Sequence, residues 1–168
     1  ITADATHPTG ADSWVLYTVE NYHLLRERLS NNGILVQWLP LHGLTNSQFR
    51  IILKTFSTLF PNTTVWLIGA NPDFGHALVV GLKSGRTASL HQMSQRLNSP
   101  EVRKDLELYG FHNVYSVLSR FLLDSADVAL YTEGAEVNTD DLPCIAFTPR
   151  RHSEQKLNVV NLASMLPF

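Results

Sequence analysis

The chain has 168 residues, of which 44% are hydrophobic and 17% are charged, so it can form one hydrophobic core and is not intrinsically disordered. A formal net charge of −2 and the lack of a long apolar run give no basis for a nucleic-acid-binding or membrane-binding chain. The single cysteine, Cys144, excludes an internal disulfide and a cysteine-based metal cluster, and it favours a reducing, cytoplasmic compartment.

The first part of the chain predicts alternating strands and helices. Residues 1–4 form a short apolar run that ends in Asp4, and a loop rich in Pro, Gly, Thr and Asp follows. The spacing of apolar residues predicts a helix over 19–30, which the Asn and Gly residues at 31–33 would end. A nearly continuous apolar run then predicts a buried strand over 34–39.

The next helix has the strongest local signals in the chain. Thr45 and Gln48 have the spacing of a capping box, apolar residues follow at helical spacing, and Pro61 ends the helix. Residues 63–68 and 77–83 are two β-type segments, and their separation predicts an antiparallel hairpin at the edge of a sheet.

Beyond Gly85 the chain is predicted to be mainly helical. The expected elements are helices at about 88–97, 100–109, 113–123 and 126–131, a turn at 138–143 and a short strand at 144–147. The whole order predicts an α/β fold, with half of a doubly wound sheet in residues 1–85 and a mainly helical C-terminal extension in residues 86–168.

Several short motifs follow one another along the chain: Asp4-Ala5-Thr6-His7-Pro8, Leu16-Tyr17-Thr18, Asn21-Tyr22, Gly33-Ile34-Leu35-Val36-Gln37-Trp38, Gln37-Trp38-Leu39-Pro40-Leu41, Phe60-Pro61 and Asn138-Thr139-Asp140-Asp141-Leu142-Pro143. In this order and spacing the chain resembles the spermidine synthase-like proteins, which are the polyamine aminopropyltransferases. The likeness is strongest over residues 1–85 and points to a bacterial branch that is often fused to membrane segments.

The resemblance implies the C-terminal half of a methyltransferase-type Rossmann-like sheet. In that family the preceding strands carry a Gly-rich loop and an acid that receive the sulfonium co-substrate, and none of the 9 glycines here forms a Gly-x-Gly cluster. The chain is therefore expected to be a fragment of a transferase that uses S-adenosylmethionine or its decarboxylated form to alkylate an amine. Alone, it is expected to bind no cofactor and to be inactive, and membrane anchoring of the parent protein stays open.

Asp4 is the expected catalytic residue, because the resemblance places it where an acid faces the attacking amine. A primary amine has a pKa of about 10 and arrives protonated, so a carboxylate could orient it and accept its proton. From its residue type alone, Asp4 could instead cap its loop through nearby backbone N–H groups. His7 stands where the family has a second acid, and it is expected either to bind substrate or to be an ordinary loop residue.

Gln37 and Asn71 are the other expected substrate-binding residues. Gln37 closes an apolar strand and could either line a pocket or pair with loop backbone. Asn71 stands where the family has a tyrosine that contacts substrate, although an Asn-Pro turn is the simpler explanation. The resemblance places Pro8, Gly10 and Ala11 where the family's loop meets the adenosine end of the cofactor.

No metal is assigned, because His42, His76, His91 and His112 stand alone in the sequence without a second histidine at metal-ligand spacing. The expected partner is a small-molecule amine. The first strand would leave an exposed sheet edge, which predicts self-association into a homo-oligomer. The alternative function is a non-catalytic binding or interaction module that keeps the fold with an altered amine pocket.

Overall fold

The computed structural model describes residues 1–4, 6–10, 12–68, 75–85, 89–147 and 154–166, with the backbone alone for 154–159. Its strands are β1 (Thr2–Ala3), β2 (Ile34–Pro40), β3 (Thr63–Ile68), β4 (His76–Leu82) and β5 (Phe121–Leu123). A 3₁₀ helix (Ser13–Tyr17) precedes the α-helices, which are α1 (Val19–Arg28), α2 (Asn46–Leu59), α3 (Leu90–Leu97), α4 (Pro100–Glu107), α5 (Val114–Leu118), α6 (Ser125–Tyr131) and α7 (Glu154–Met165). The fold is therefore mixed α/β, as predicted.

The strands form one mixed sheet in the order β1-β2-β4-β3-β5. β1 is parallel to β2, with Ala3 opposite Gln37, whereas β4 is antiparallel to both β2 and β3. Strands β1, β2 and β3 therefore run in the same direction, and β4 runs against them. The predicted antiparallel pairing of β3 with β4 is confirmed.

The prediction that this hairpin lies at the sheet edge is wrong. β4 is inserted between β2 and β3, and β5 pairs with the outer side of β3. Strand β5 lies within the segment 113–123 that was predicted to be one helix, which instead ends after Leu118 in the short α5. Three apolar residues, Phe121-Leu122-Leu123, fit a buried helix or a strand equally well, so their pattern could not decide between the two.

Helix α2 packs its apolar side against the sheet, and its capping box is present as predicted. The Thr45 hydroxyl accepts a hydrogen bond from Gln48 N at 3.2 Å, and Thr45 N donates to Gln48 Oε1 at 3.0 Å. Phe56 and Phe60 are fully buried, and both lie 2.6 Å from the position that a Cβ on Gly81 would occupy. Glycine in β4 therefore lets α2 approach the sheet closely.

The residues after 85 complete the same sheet and core. β5 pairs with β3, and helices α6 and α7 pack against α2. Residues 144–147 form turns and not the predicted strand, since Cys144 N donates to Leu142 O and Ala146 N donates to Pro143 O. These short-range bonds use the backbone groups that a strand would present to a neighbour.

The predicted turn at 138–143 is anchored by the buried Asn138. Its backbone N–H donates to the Thr55 hydroxyl at 2.9 Å, and its side-chain amide donates to Tyr17 O at 3.1 Å. The motif thus ties the later part of the chain to α2 and to the 3₁₀ helix. In the part of the chain that the structure describes, no helix has both the length and the apolar composition needed to cross a membrane.

Candidate functional site

Chemically active side chains meet at the edge of the sheet where β1 and β2 end. Asp4 follows the last residue of β1, and His42 follows the end of β2 by two residues. Because β4 runs in the opposite direction, its first residue, His76, lies opposite Pro40 at the end of β2. In open α/β sheets, ligands bind outside the carboxyl ends of the parallel strands, so this edge is the candidate site.

Asp4 is exposed at this edge, and its charge acts on two neighbouring residues. It contributes to the raised pKa of Tyr17 and opposes the lowering of the pKa of His76. Among the described residues the Asp4 carboxylate makes no hydrogen bond, so it does not serve there as a cap for its own loop. A solvent-facing carboxylate in this position can attract a cation.

Tyr17 supports the loop after Asp4, a role that the sequence analysis did not assign to it. Its side chain is buried, and its hydroxyl donates to the carbonyl oxygen of Thr6 at 2.5 Å. Burial, followed by the negative charge of Asp4, raises the pKa of Tyr17 to about 12. The phenol is therefore a neutral hydrogen-bond donor at physiological pH and fixes residue 6 beside the site.

His7 is half-buried and lies against the loop that follows β2. Its Nδ1 accepts a hydrogen bond from Thr9 N at 3.3 Å and lies 2.8 Å from the Thr9 hydroxyl oxygen, so the neutral ring carries its proton on Nε2. A Cβ placed on Gly43 would overlap this Nε2. The contact places His7 next to the loop that carries His42.

His42 and His76, which are far apart in the sequence, form a ring pair in the fold. Their ring centroids are 5.2 Å apart in an edge-to-face arrangement. The ring centroid of Trp38 lies 5.3 Å from that of His76. His42 Nδ1 donates to the carbonyl oxygen of Gly75 at 3.3 Å. The register between β2 and β4 creates this pair, and spacing along the sequence does not reveal it.

His76 differs from the other two histidines in its polar contacts. Its Nδ1 is buried and has no hydrogen-bond partner. Burial and the neighbouring His42 lower the pKa of His76 below the ordinary value of 6.5, while Asp4 acts in the opposite direction. The ring is therefore neutral at pH 7 and can accept a hydrogen bond.

Gln37 is buried and joins β1 to β2. Its Nε2 donates to Ala3 O at 3.0 Å and to Trp38 O at 3.1 Å. Both amide hydrogens are thus used on backbone carbonyls of β1 and β2, and not on the loop backbone that was the expected alternative to a pocket role. The predicted sites Asn71 and Ala11 lie outside the described residues.

Pro8 and Gly10, the other residues assigned to the cofactor, belong to a tight turn. Gly10 N donates to His7 O at 2.9 Å, and a Cβ on Gly10 would lie 2.7 Å from the Ser13 hydroxyl oxygen. Pro8 is buried. This turn fixes the conformation of both residues, and their expected role at the adenosine end of a sulfonium co-substrate stays a prediction.

The loop between β2 and α2 is held from the far end of the chain. Asn161 in α7 is buried, and its Nδ2 donates to Leu41 O and to Leu44 O, each at 2.7 Å. Both acceptors flank His42 and Gly43. Residues beyond 147 carry no clear helix or strand pattern, so the role of Asn161 could not be predicted from the sequence.

The edge is not arranged as a metal centre. Across the described ranges of the chain, no group of three or more His, Cys, Asp or Glu side chains is placed to hold a metal ion. The site consists instead of one exposed carboxylate, three imidazoles and an indole ring, which are Asp4, His7, His42, His76 and Trp38.

A comparison with models of known protein families gives no match for this chain, and a comparison with curated proteins gives none either. The relationship to the spermidine synthase-like proteins therefore stays a prediction from the sequence.

Proposed function

We propose that this chain is the C-terminal portion of a spermidine synthase-like transferase and that it supplies the amine-binding side of the site. The observation that carries the proposal is the position of Asp4, an exposed carboxylate at the carboxyl end of β1, beside the histidine pair that follows from the β2–β4 register. In an α/β sheet this is where a ligand binds.

The order of elements supports this proposal. The strand, helix, strand, helix and antiparallel hairpin that the resemblance implies correspond to β1, α1, β2, α2 and the pair β3–β4. The strands β1, β2 and β3 run in the same direction, so their carboxyl ends lie at the same end of the sheet as the candidate site.

Asp4 provides the chemistry expected of the amine side. An alkyl ammonium group is attracted to its carboxylate, which orients the nitrogen and can accept a proton from it. The sulfonium co-substrate would supply the transferred alkyl group. The amine side alone is assigned to the described residues.

The second candidate function, a non-catalytic binding or interaction module, is favoured by one observation. Gln37 uses both amide hydrogens on backbone carbonyls. Its amide N–H groups are therefore not available to bind a substrate. The two candidates differ in whether a small amine binds at Asp4.

Two-dimensional NMR of the isotope-labelled chain, titrated separately with putrescine and with S-adenosylmethionine, tests the proposal. We expect putrescine to shift the amide signals around Asp4 and His76, and we expect the Asp4→Asn variant to lose these shifts. Asp105→Asn, which changes an exposed acid on α4, is the matched control and should behave like the unmodified chain. If putrescine produces no shift near Asp4, the interaction module is the better account.

A further inference from the structure

The side chain of His76 contacts the described residues of the candidate site through its ring and not through hydrogen bonds. The Trp38 and His42 rings lie 5.3 and 5.2 Å away, and neither ring nitrogen of His76 makes a hydrogen bond to any residue in the described part of the chain. Buried polar atoms in folded proteins nearly always have a partner, and an exception calls for an explanation. His76 is also the first residue of a strand that is paired on both sides, so its position is well fixed.

The surroundings of His76 define which ligand it could accept. Asp4 places a negative charge nearby, which disfavours an anion, and the indole face of Trp38 can stabilise a cation. A neutral imidazole offers a lone pair to an N–H donor. A ligand that is cationic and carries N–H groups matches the charge of Asp4, the ring of Trp38 and the acceptor nitrogen of His76.

We propose that His76 is the hydrogen-bond acceptor of an alkylamine subsite, in which the amine nitrogen donates to the imidazole and its positive charge faces Asp4 and Trp38. This inference rests on the proposed function and adds a residue to it that the sequence analysis did not assign. His76 also provides a hydrogen-bond acceptor that His7 does not, because the Nδ1 of His7 is already bonded to Thr9.

The subsite makes amine binding dependent on pH. The titratable groups that face His76 from the described elements are His42, on the loop after β2, and Asp4, at the end of β1. Protonation of His76 removes the acceptor and adds a positive charge next to the ammonium group. Since the pKa of His76 is below 6.5, binding should be complete above that pH and should weaken as the pH falls through the pKa of His76.

Isothermal titration calorimetry with putrescine between about pH 5.5 and about pH 8 tests this inference in the whole chain. We expect binding to weaken toward the acidic end by no more than about tenfold, and we expect His76→Gln, whose amide oxygen can accept a hydrogen bond but does not titrate, to lose most of the pH dependence. His91→Gln, which changes an exposed histidine on α3, is the matched control and should keep both the affinity and the pH dependence.

A second measurement uses the unmodified protein, so it does not depend on whether the variant folds. The imidazole NMR signals of His76 should titrate below pH 6.5, and saturating putrescine should lower that midpoint further because a cation binds beside the ring. Full binding by a folded His76→Gln variant with unchanged pH dependence, or an unmoved His76 midpoint, would overturn this inference while the amine site at Asp4 stands. If putrescine does not bind at any pH, the proposed function itself fails and this subsite fails with it.

Discussion

Gly43 lies directly against the imidazole of His7, so that a side chain on Gly43 would overlap the ring's Nε2. The contact brings together two loops at the same end of the sheet, one after β1 and one after β2. It also explains why the loop after β2 carries a glycine although its backbone has no left-handed conformation at that position.

Gly43→Ala should therefore displace His7 and destabilise the fold by about 1–3 kcal/mol, the usual range for adding a methyl group to a filled space. Chemical denaturation gives the free energy of unfolding, and the His7 imidazole signals give the ring position. Gly85→Ala is the matched control, because among the described residues a Cβ there meets only Asn62 Nδ2, at 3.7 Å. Equal stability of the two variants would contradict the packing argument.

Asn161 provides a test of how the loop between β2 and α2 is held. Asn161→Ala removes both hydrogen bonds to this loop and leaves the carbonyls of Leu41 and Leu44 without their donor. We expect a loss of about 1–3 kcal/mol in the free energy of unfolding, measured by urea denaturation. Asn32→Ala, at an exposed turn position, should leave the stability nearly unchanged.

The alkaline limit of stability should depend on Tyr17. Its folded-state pKa of about 12 lies above the ordinary 10.0, so its stabilising contribution is complete below pH 10 and is lost as the pH rises toward 12. Absorbance of the tyrosinate form during an alkaline titration should show one fewer high-pH step in Tyr17→Phe. If that variant instead loses a step near pH 10, the phenol is not buried as described.

Asp4→Asn should lower the pKa of Tyr17, because the carboxylate charge contributes to raising it. The same absorbance titration detects the change as an earlier ionisation of one tyrosine. Asp105→Asn is again the control and should leave the curve in place. An unchanged curve for Asp4→Asn would show that the two residues do not interact.

The chain by itself should give no detectable aminopropyl transfer from decarboxylated S-adenosylmethionine to putrescine. The reason lies in the sequence, since none of its 9 glycines forms the Gly-x-Gly cluster that receives the sulfonium co-substrate in the family that the chain resembles. Chromatography of the reaction mixture for spermidine is the measurement. Turnover above the rate without protein would contradict this expectation.

Local signals in the sequence predicted the elements that carry them. The capping box at Thr45 and Gln48 located the start of α2, and the apolar runs located β2, β3 and β4. Local patterns indicate which strands are neighbours along the chain, but they do not indicate where a hairpin enters a sheet. The insertion of β4 between β2 and β3 depends on contacts between distant segments, so it could not be predicted in this way.

Only part of the candidate site could be predicted, because the rest depends on contacts between segments that are distant in the sequence. Asp4 could be placed because it directly follows a strand. His42 and His76 come together only through the β2–β4 register, in which Pro40 lies opposite His76. Asn161 acts on the site from α7, and nothing in its own neighbourhood along the sequence indicates that role.

The insertion of β4 between β2 and β3 affects how the candidate site forms during folding. Until residues 76–82 take their place, no strand joins β2 to β3 and the ring pair of His42 and His76 is not formed. Closing the middle of the sheet and assembling the histidine pair therefore depend on the same strand. A partly folded chain that has its helices but lacks β4 would lack the proposed amine subsite, so putrescine binding would report on completion of the sheet.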